Sequence, residues 1–369
     1  MSSSRDVLFM RAALALARRG LGRAAPNPSV AALVVDERRS PPVMLGRGVT
    51  APKGRPHAEA IAIAQAGDAA RGATLYVTLE PCARRSERHF GPSCTEIILT
   101  SGIARVVIGA SDPSPFAAGD GATRLRAAGI AVEEGVLGQE AALLNRGHCQ
   151  RVRLNRPFVR VKLAQTADGF AATADRKPLA ITGEETRAYV HRLRADADAL
   201  ITGIGTVLAD DPLLDVRLPG MADWSPLRVV VDTQGRMTPD TRLIKDAARV
   251  PVLIATAGPE AVRAKLGEQQ GVEVVAIPKA GEEIDLPALL GALAARGITR
   301  VLVEAGPTLA NAFAEAGFCD ELILLSGPTA ISTGLPAIGT ALADWLKHAD
   351  MLETRQIGTD TLTLFGKNL

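Results

Sequence analysis

Donors that suit a metal ion fall close together in the first third of the chain, at His57-Ala58-Glu59, Glu80-Pro81-Cys82 and Cys94. Imidazole and thiolate are ligands that zinc prefers, and three protein ligands leave a fourth position open for water. Zinc lowers the pKa of that water to about 7. A carboxylate that is not itself a ligand can take and return the proton, and Glu59 follows His57 closely enough to do so. Singly, each residue has a plainer reading: His57 as a capping surface histidine, Cys82 and Cys94 as small buried hydrophobes. Together, with Pro81 ahead of Cys82, they point to one site, with His57, Cys82 and Cys94 as ligands and Glu59 as the catalytic acid–base. Cys149 and Cys319 have no such partners and read as structural. His89, inside the Cys82–Cys94 segment, reads as loop or pocket lining.

The elements that must position these residues are legible from pattern. Val7 to Arg19 has apolar residues three and four apart and reads as a helix stopped by Gly20 and Gly22. Two prolines hold Pro26-Asn27-Pro28-Ser29 as a rigid turn. Val30 to Val35 and Val43 to Val49 read as strands. A helix from His57 to Ala66 puts His57 and Glu59 in its first turn, where the positive end of the dipole favours an anion. Strand Ala73 to Leu79 delivers Glu80-Pro81-Cys82. Ser93 caps a helix from Cys94 to Thr100 that Gly102 ends. Strand Arg105 to Ala110, helix Thr123 to Ala128, strand Ile130 to Glu133 and helix Gly138 to Arg146 complete a three-layer α/β pattern. Arginine-rich His148 to Pro157 reads as a boundary, so the domains are expected at 1–150 and 151–369.

The second half opens a new α/β series. Its strands are Phe158 to Leu163, Ala199 to Thr202, Arg228 to Asp232, Val252 to Ala255, Val272 to Ile277, Arg300 to Glu304 and Glu321 to Leu325. Its helices are Glu184 to Arg194, Leu286 to Ala295 and Thr308 to Ala316. Gln165 to Gly183 and Pro212 to Pro226 read as long irregular stretches, which in compact domains are often functional. Glu304-Ala305-Gly306-Pro307-Thr308 turns from a strand into a helix, whose first N–H groups can bind phosphate. The half has no Gly-x-Gly-x-x-Gly after its first strand, which argues against an ordinary dinucleotide fold.

Composition excludes several alternatives. The 369 residues include 3% aromatics and carry a net charge of +2, so neither stacking platforms nor a broad basic footprint for nucleic acid is present. No stretch reaches the length of a membrane span. Four cysteines without a signal peptide fit a reducing compartment, and the expectation is a cytoplasmic enzyme acting on a small molecule.

A His-x-Glu followed by Pro-Cys and a further Cys resembles the zinc nucleobase deaminases. The likeness extends further: Asn27-Pro28-x-Val30, Thr78-Leu79-Glu80-Pro81-Cys82, Ser101-Gly102-Ile103 and Asp112-Pro113-x-Pro115 are similar to the deaminase half of the bifunctional riboflavin-biosynthesis deaminase/reductases. Lys162-Leu163-Ala164 with Asp168-Gly169, Ile181-Thr182, Arg194, Thr206 to Pro212, Val231-Asp232 and Val303 to Leu309 resemble the reductase half, in order. The resemblance implies a cytidine-deaminase-like domain followed by a dihydrofolate-reductase-like domain. It implies zinc-dependent hydrolytic deamination of a diaminopyrimidinone ribosylamino phosphate, then NADPH-dependent reduction of the ribosyl group to ribityl. By resemblance, Asn27 holds the pyrimidine, and Arg194, Leu214, Arg217 and Glu304 contact the reductase substrate. Ala164, Thr206, Asp210, Thr233, Gly306, Pro307, Thr308 and Leu309 contact NADPH. The late apolar strands of the second half can pair between chains, and a homo-oligomer is expected.

The chain departs from the family pattern in places. The segment between Cys82 and Cys94 is three residues longer than usual, and Arg84 stands where a His is common. Ala31, Thr50, Ala180 and Thr329 replace a usual Gly, His, Trp and Lys. Arg84, Arg85 and Arg88 read either as a phosphate grip or as a solvated basic loop. Two rivals follow: a nucleoside or tRNA deaminase joined to a reductase-like domain of other purpose, or a zinc deaminase whose second half is an inactive dimerisation or regulatory module.

Overall fold

A computed structural model describes residues 3–85, 91–175 and 179–367. The chain forms two compact units that divide between Asn155 and Arg156.

The first unit runs α1 (Ser4–Ala17), β1 (Ala31–Asp36), β2 (Val43–Val49), α2 (Ala58–Ala66), β3 (Thr74–Leu79), α3 (Cys94–Ser101), β4 (Arg105–Ala110), α4 (Asp120–Ala127), β5 (Ala131–Glu134), α5 (Gly138–Leu144) and α6 (Arg146–Leu154). Its sheet order is β2-β1-β3-β4-β5, antiparallel around β1 and parallel from β3 to β5. Side chains alternate across a strand, and β1 shows the result. Ala32 and Val34 pack with residues of α2, α3 and α4, whereas Ala31, Leu33 and Val35 pack with α1 and α5. Helices therefore cover both faces. The segment from His148 onward, read from sequence as a boundary, is mostly the continuation of α6, which Gly147 and His148 anchor by burial in the first unit.

The second unit runs β6 (Phe158–Gln165), β7 (Phe170–Thr173), α7 (Glu184–Ala195), β8 (Ala199–Gly203), α8 (Ile204–Asp210), β9 (Leu227–Val231), α9 (Arg242–Lys245), β10 (Val252–Thr256), α10 (Pro259–Leu266) and β11 (Val272–Ala276). It continues with β12 (Lys279–Ala280), β13 (Glu283–Ile284), α11 (Leu286–Ala295), β14 (Arg300–Glu304), α12 (Pro307–Glu315), β15 (Glu321–Ser326), β16 (Gly334–Pro336), α13 (Thr340–Lys347), β17 (Asp350–Ile357) and β18 (Asp360–Gly366). The nine-stranded sheet has the order β11-β10-β9-β8-β14-β6-β15-β18-β17. Strands β11 through β15 in that order are parallel, and the last two are antiparallel. From β8 the chain moves outward to β9, and from β14 it moves the other way to β15. Connections that part between neighbouring strands open a crevice at their carboxyl ends, where open α/β sheets bind ligands.

Candidate active sites

In the first unit, His57 is the N-cap of α2, with extended backbone, and Glu59 is buried in the first turn of that helix. Cys82 follows β3. Cys94 is the first residue of α3, which Ser93 and Glu96 close with a reciprocal capping box. The ligand atoms of His57, Cys82 and Cys94 all lie within 4.8 Å of one another. His57 Nδ1 is 3.2 Å from Cys94 Sγ and 3.8 Å from Cys82 Sγ. Tetrahedral bonds of about 2.0 to 2.3 Å give ligand–ligand edges of about 3.5 to 3.8 Å, so the cluster has the dimensions of a zinc cage.

The electrostatics agree. A hydrogen bond from Cys94, then His57, hold the Cys82 thiol down to about 4 against burial. Cys94 is pushed up because its S–H is held as a donor to the Cys82 thiolate and because it is buried beside Glu59. Two thiolates cannot share this space without a cation, and a bound dication removes the conflict. The donor set therefore fits zinc. Burial raises the Glu59 carboxyl above its ordinary range, partly offset by His57.

The surrounding backbone is pinned. Cys82 Sγ accepts from the Cys94 N–H at 3.3 Å, and the Cys82 carbonyl accepts from Thr95 N–H and Oγ1. The Glu80 carboxylate accepts from the N–H groups of Gly119, Gly121 and Ala122, at the start of α4. Gly121 is required there, since a Cβ would lie 2.3 Å from the Pro81 carbonyl. Asn27 Nδ2 donates to Gly54 O at 2.8 Å and lies 3.2 Å from His57 Nε2, beside the metal ligands. Gly54, at φ +90°, leaves the room, because a Cβ would lie 2.6 Å from Asn27 Nδ2. Thr50 is buried and its Oγ1 accepts from Val30 N–H, so it supports β1. Arg84 bonds Asp120 through two nitrogens and Arg85 pairs with both oxygens of Glu96. Arg88 and His89 lie outside the described residues.

In the second unit, the residues singled out from sequence gather along the carboxyl edge of the sheet. Ala164 is near the end of β6, Thr206 and Asp210 are in α8 just after β8, Thr233 follows β9, and Glu304 ends β14. Gly306 is the N-cap of α12 and Pro307 its first residue, a position that tolerates a missing N–H. A Cβ on Gly203 would sit 3.7 Å from Leu309, so the turns after β8 and β14 face each other. Cβ atoms on Gly205 and Gly306 would meet nothing within 4 Å, so the backbone here is open for a ligand to approach.

Arg194, on α7, grips Glu304 with two nearly parallel hydrogen bonds of 2.6 and 3.0 Å, both side chains mostly buried. Its third nitrogen donates to Asp215 O at 3.0 Å, which ties α7 to the loop carrying Leu214 and Arg217. Arg217 is exposed, with its N–H on His191 Nδ1. Thr233 is half-buried and donates to Glu283. Although burial pushes Glu304 up, Arg194 and then Lys162 hold it below its ordinary value. Two further residues reach this site. Lys162 stands opposite Glu304 in the β6–β14 register, and burial lowers its pKa. His191 lies beside Asp215 and Arg217. Neither carries a sequence signal beyond its type, since a lysine in a strand ordinarily faces solvent.

Comparison with known proteins gives these sites their context. Residues 157–363 match the model of the RibD C-terminal domain, and residues 3–110 that of the cytidine and deoxycytidylate deaminase zinc-binding region. The chain is 36% identical to the riboflavin biosynthesis protein RibD of Escherichia coli, over 96% of this chain and 97% of that one. The chain belongs to the bifunctional RibD family. It is also 37% identical to the Aquifex aeolicus member, across 89% of both chains. Acinetobacter baumannii RibD, as a solved structure, superposes with a TM-score of 0.83 at 35% identity, covering 98% of each chain. A Thermotoga maritima structure, described as a diaminohydroxyphosphoribosylaminopyrimidine deaminase/5-amino-6-(5-phosphoribosylamino)uracil reductase, gives 0.83 at 32% identity with the same coverage. The architecture is thus a cytidine-deaminase-like zinc-binding domain followed by an α/β RibD C-terminal domain, and the family is a deaminase and reductase of riboflavin biosynthesis.

Proposed function

We propose that the first unit deaminates a diaminopyrimidinone ribosylamino phosphate and that the second reduces the ribosyl group of the product to ribityl with NADPH. The observation that carries this reading is the joint presence, across nearly the full length of a RibD-like chain, of a zinc-sized His57, Cys82, Cys94 cluster and an open carboxyl-edge crevice.

His57 Nδ1, Cys82 Sγ and Cys94 Sγ hold the zinc, which when bound supplies Lewis acidity and an activated water. Glu59, buried and adjoining the ligands, takes the proton from the attacking water and returns it to the amino group that leaves as ammonia. Asn27, with its amide fixed by Gly54, lies beside His57 and orients the pyrimidine. In the second unit Arg194, Leu214, Arg217 and Glu304 hold the ribosyl phosphate; the forked guanidinium of Arg217 suits a phosphate. Ala164, Thr206, Asp210, Thr233 and the Gly306 to Leu309 turn hold NADPH, which supplies the hydride. The helix start at Pro307 favours its phosphates.

We also infer a cytoplasmic homo-oligomer. Two observations support it: β17 is an edge strand with exposed Met351 and Leu352, and all four cysteines are free. Light scattering at micromolar concentration tests the oligomer, and a monomer overturns it. The function is tested by a coupled assay with the diaminopyrimidinone ribosyl phosphate, following ammonia and NADPH together. Ammonia release that precedes NADPH oxidation supports the order, and ammonia without any oxidation of NADPH overturns the reductase half.

A further inference from the structure

The loop between α8 and β9 carries two of the proposed substrate contacts, Leu214 and Arg217, on an unusual backbone. Asp211 (φ 39°) and Leu214 (φ 53°) both lie in the left-handed region without being glycine. That region crowds the Cβ of an L-residue, and such strain persists only where the surroundings over-determine it. Here the surroundings are visible. The carbonyls on either side of Leu214 are both taken by arginines: Leu213 O accepts from Arg228 Nη1 at 2.9 Å, and Asp215 O from Arg194 Nη1 at 3.0 Å. Among the described residues, nothing pairs with Leu214's own N–H or C=O.

Arg194 belongs to the site described above, but Arg228 does not. Arg228 lies on β9 with no side-chain exposure. By strand alternation it shares a face with Val230, which packs against Leu214, Met237 and Leu243. A charge among such residues is costly unless it is paired and hydrogen-bonded. Arg228 uses both terminal nitrogens to join separate segments, while its buried Nε has no partner among the described residues. Beyond Leu213 O it donates to Leu243 O at 3.5 Å, to Asp246 O at 3.3 Å and to Val250 O, and it pairs with Asp246 Oδ2 at 3.1 Å. Asp246 in turn accepts from Arg249, whose Nη2 also reaches Asp215 Oδ2.

We propose that the buried Arg228–Asp246 pair is a positioning device of the reductase: it fixes the Leu213 carbonyl so that Leu214 keeps its left-handed backbone and Arg217 its place in the substrate loop. The inference rests on reading Leu214 and Arg217 as substrate contacts.

The test uses the full chain loaded with zinc. Arg228→Lys keeps the charge but cannot reach all the carbonyls. It is expected to raise KM for the deaminated ribosyl phosphate about tenfold, the worth of one charge-assisted hydrogen bond. Deamination is expected to stay unchanged, and NADPH Kd to stay within about twofold. A merely structural brace predicts that KM and NADPH Kd worsen together with a lowered Tm, or that neither moves; either result overturns the proposal. If Arg228→Lys does not fold, Asp246→Asn decides. A KM raised about threefold with NADPH Kd unmoved supports the pair, and an unchanged KM overturns it. Arg217→Ala separates the two levels. An unmoved KM sinks the substrate reading, and the proposal with it. A KM raised by Arg217→Ala but not by Arg228→Lys or Asp246→Asn sinks the proposal alone.

Discussion

The two sites are specified in different ways. The zinc site is written in residue types: an imidazole and one thiol on helix starts and a second thiol just past a strand end, with a carboxylate one short step away. The reductase crevice is written mainly in backbone, at the ends of β6, β8, β9 and β14, with few side chains that announce a role. A metal demands particular donors at particular distances. A nucleotide needs a helix start, an open glycine and a sheet edge, which many sequences can build. The first kind of site is robust to its surroundings and fragile to a single atom; the second is the reverse.

The sharpest way to break that contrast is at Glu59. Glu59→Gln is expected to keep zinc at one per chain by mass spectrometry while slowing ammonia release about 10²- to 10⁴-fold. Reduction of separately supplied deaminated substrate should continue. Normal ammonia release would sink the assignment of Glu59.

Next comes the buried ion pair. Arg194→Met strips buried Glu304 of its hydrogen-bonded partner and leaves only Lys162 across the register, and the second unit should lose about 3 to 5 kcal/mol in denaturant unfolding. Arg194→Met with Glu304→Leu should recover most of that stability without recovering reduction. A single variant as stable as the parent would mean the pair is not buried in solution.

A smaller effect is expected in acid. Arg105 grips Asp6 with two hydrogen bonds and holds its carboxyl well below the ordinary 3.8. A depressed carboxylate adds stability above its unfolded pKa and loses it as the pH falls toward the folded one. The first unit should therefore weaken progressively below about pH 3.8, and Arg105→Met should flatten that dependence. Unfolding of residues 1–155 followed by circular dichroism across pH, parent against variant, reads it directly.

Smallest of all is the loop that departs from the family. The side chains of Arg84 and Arg85 are 65% and 60% exposed, so truncating either should leave stability nearly unchanged. Both are already engaged by carboxylates, so deaminase KM should shift less than about threefold. A tenfold rise would revive the phosphate grip.

The same contrast explains what was legible in the sequence. Ser93 and Gly102 bracket α3 as their types suggest, and Gly306-Pro307 opens α12. Helix α8 is not legible because its seven residues are too few for a period to show. Strand β17 is not legible because its residues are nearly all exposed, so its sequence has no apolar alternation to read. Helix α6 reads as a boundary because it carries three arginines and only Gly147 and His148 are buried. Lys162 acquires meaning only from the register that sets it beside Glu304, a neighbour far along the chain.

Strand order has one more consequence, for synthesis. In the first unit each strand pairs with partners made soon before or after it. In the second, β6 lies between β14 and β15, so the first strand to leave the ribosome waits for residues 300–326 before its sheet neighbours exist. Closing so long a loop must precede the pairing that rewards it. The deaminase unit can therefore stand complete while the reductase unit still holds Val159, Val161 and Leu163 uncovered, and in that interval a nascent chain is most in need of a chaperone.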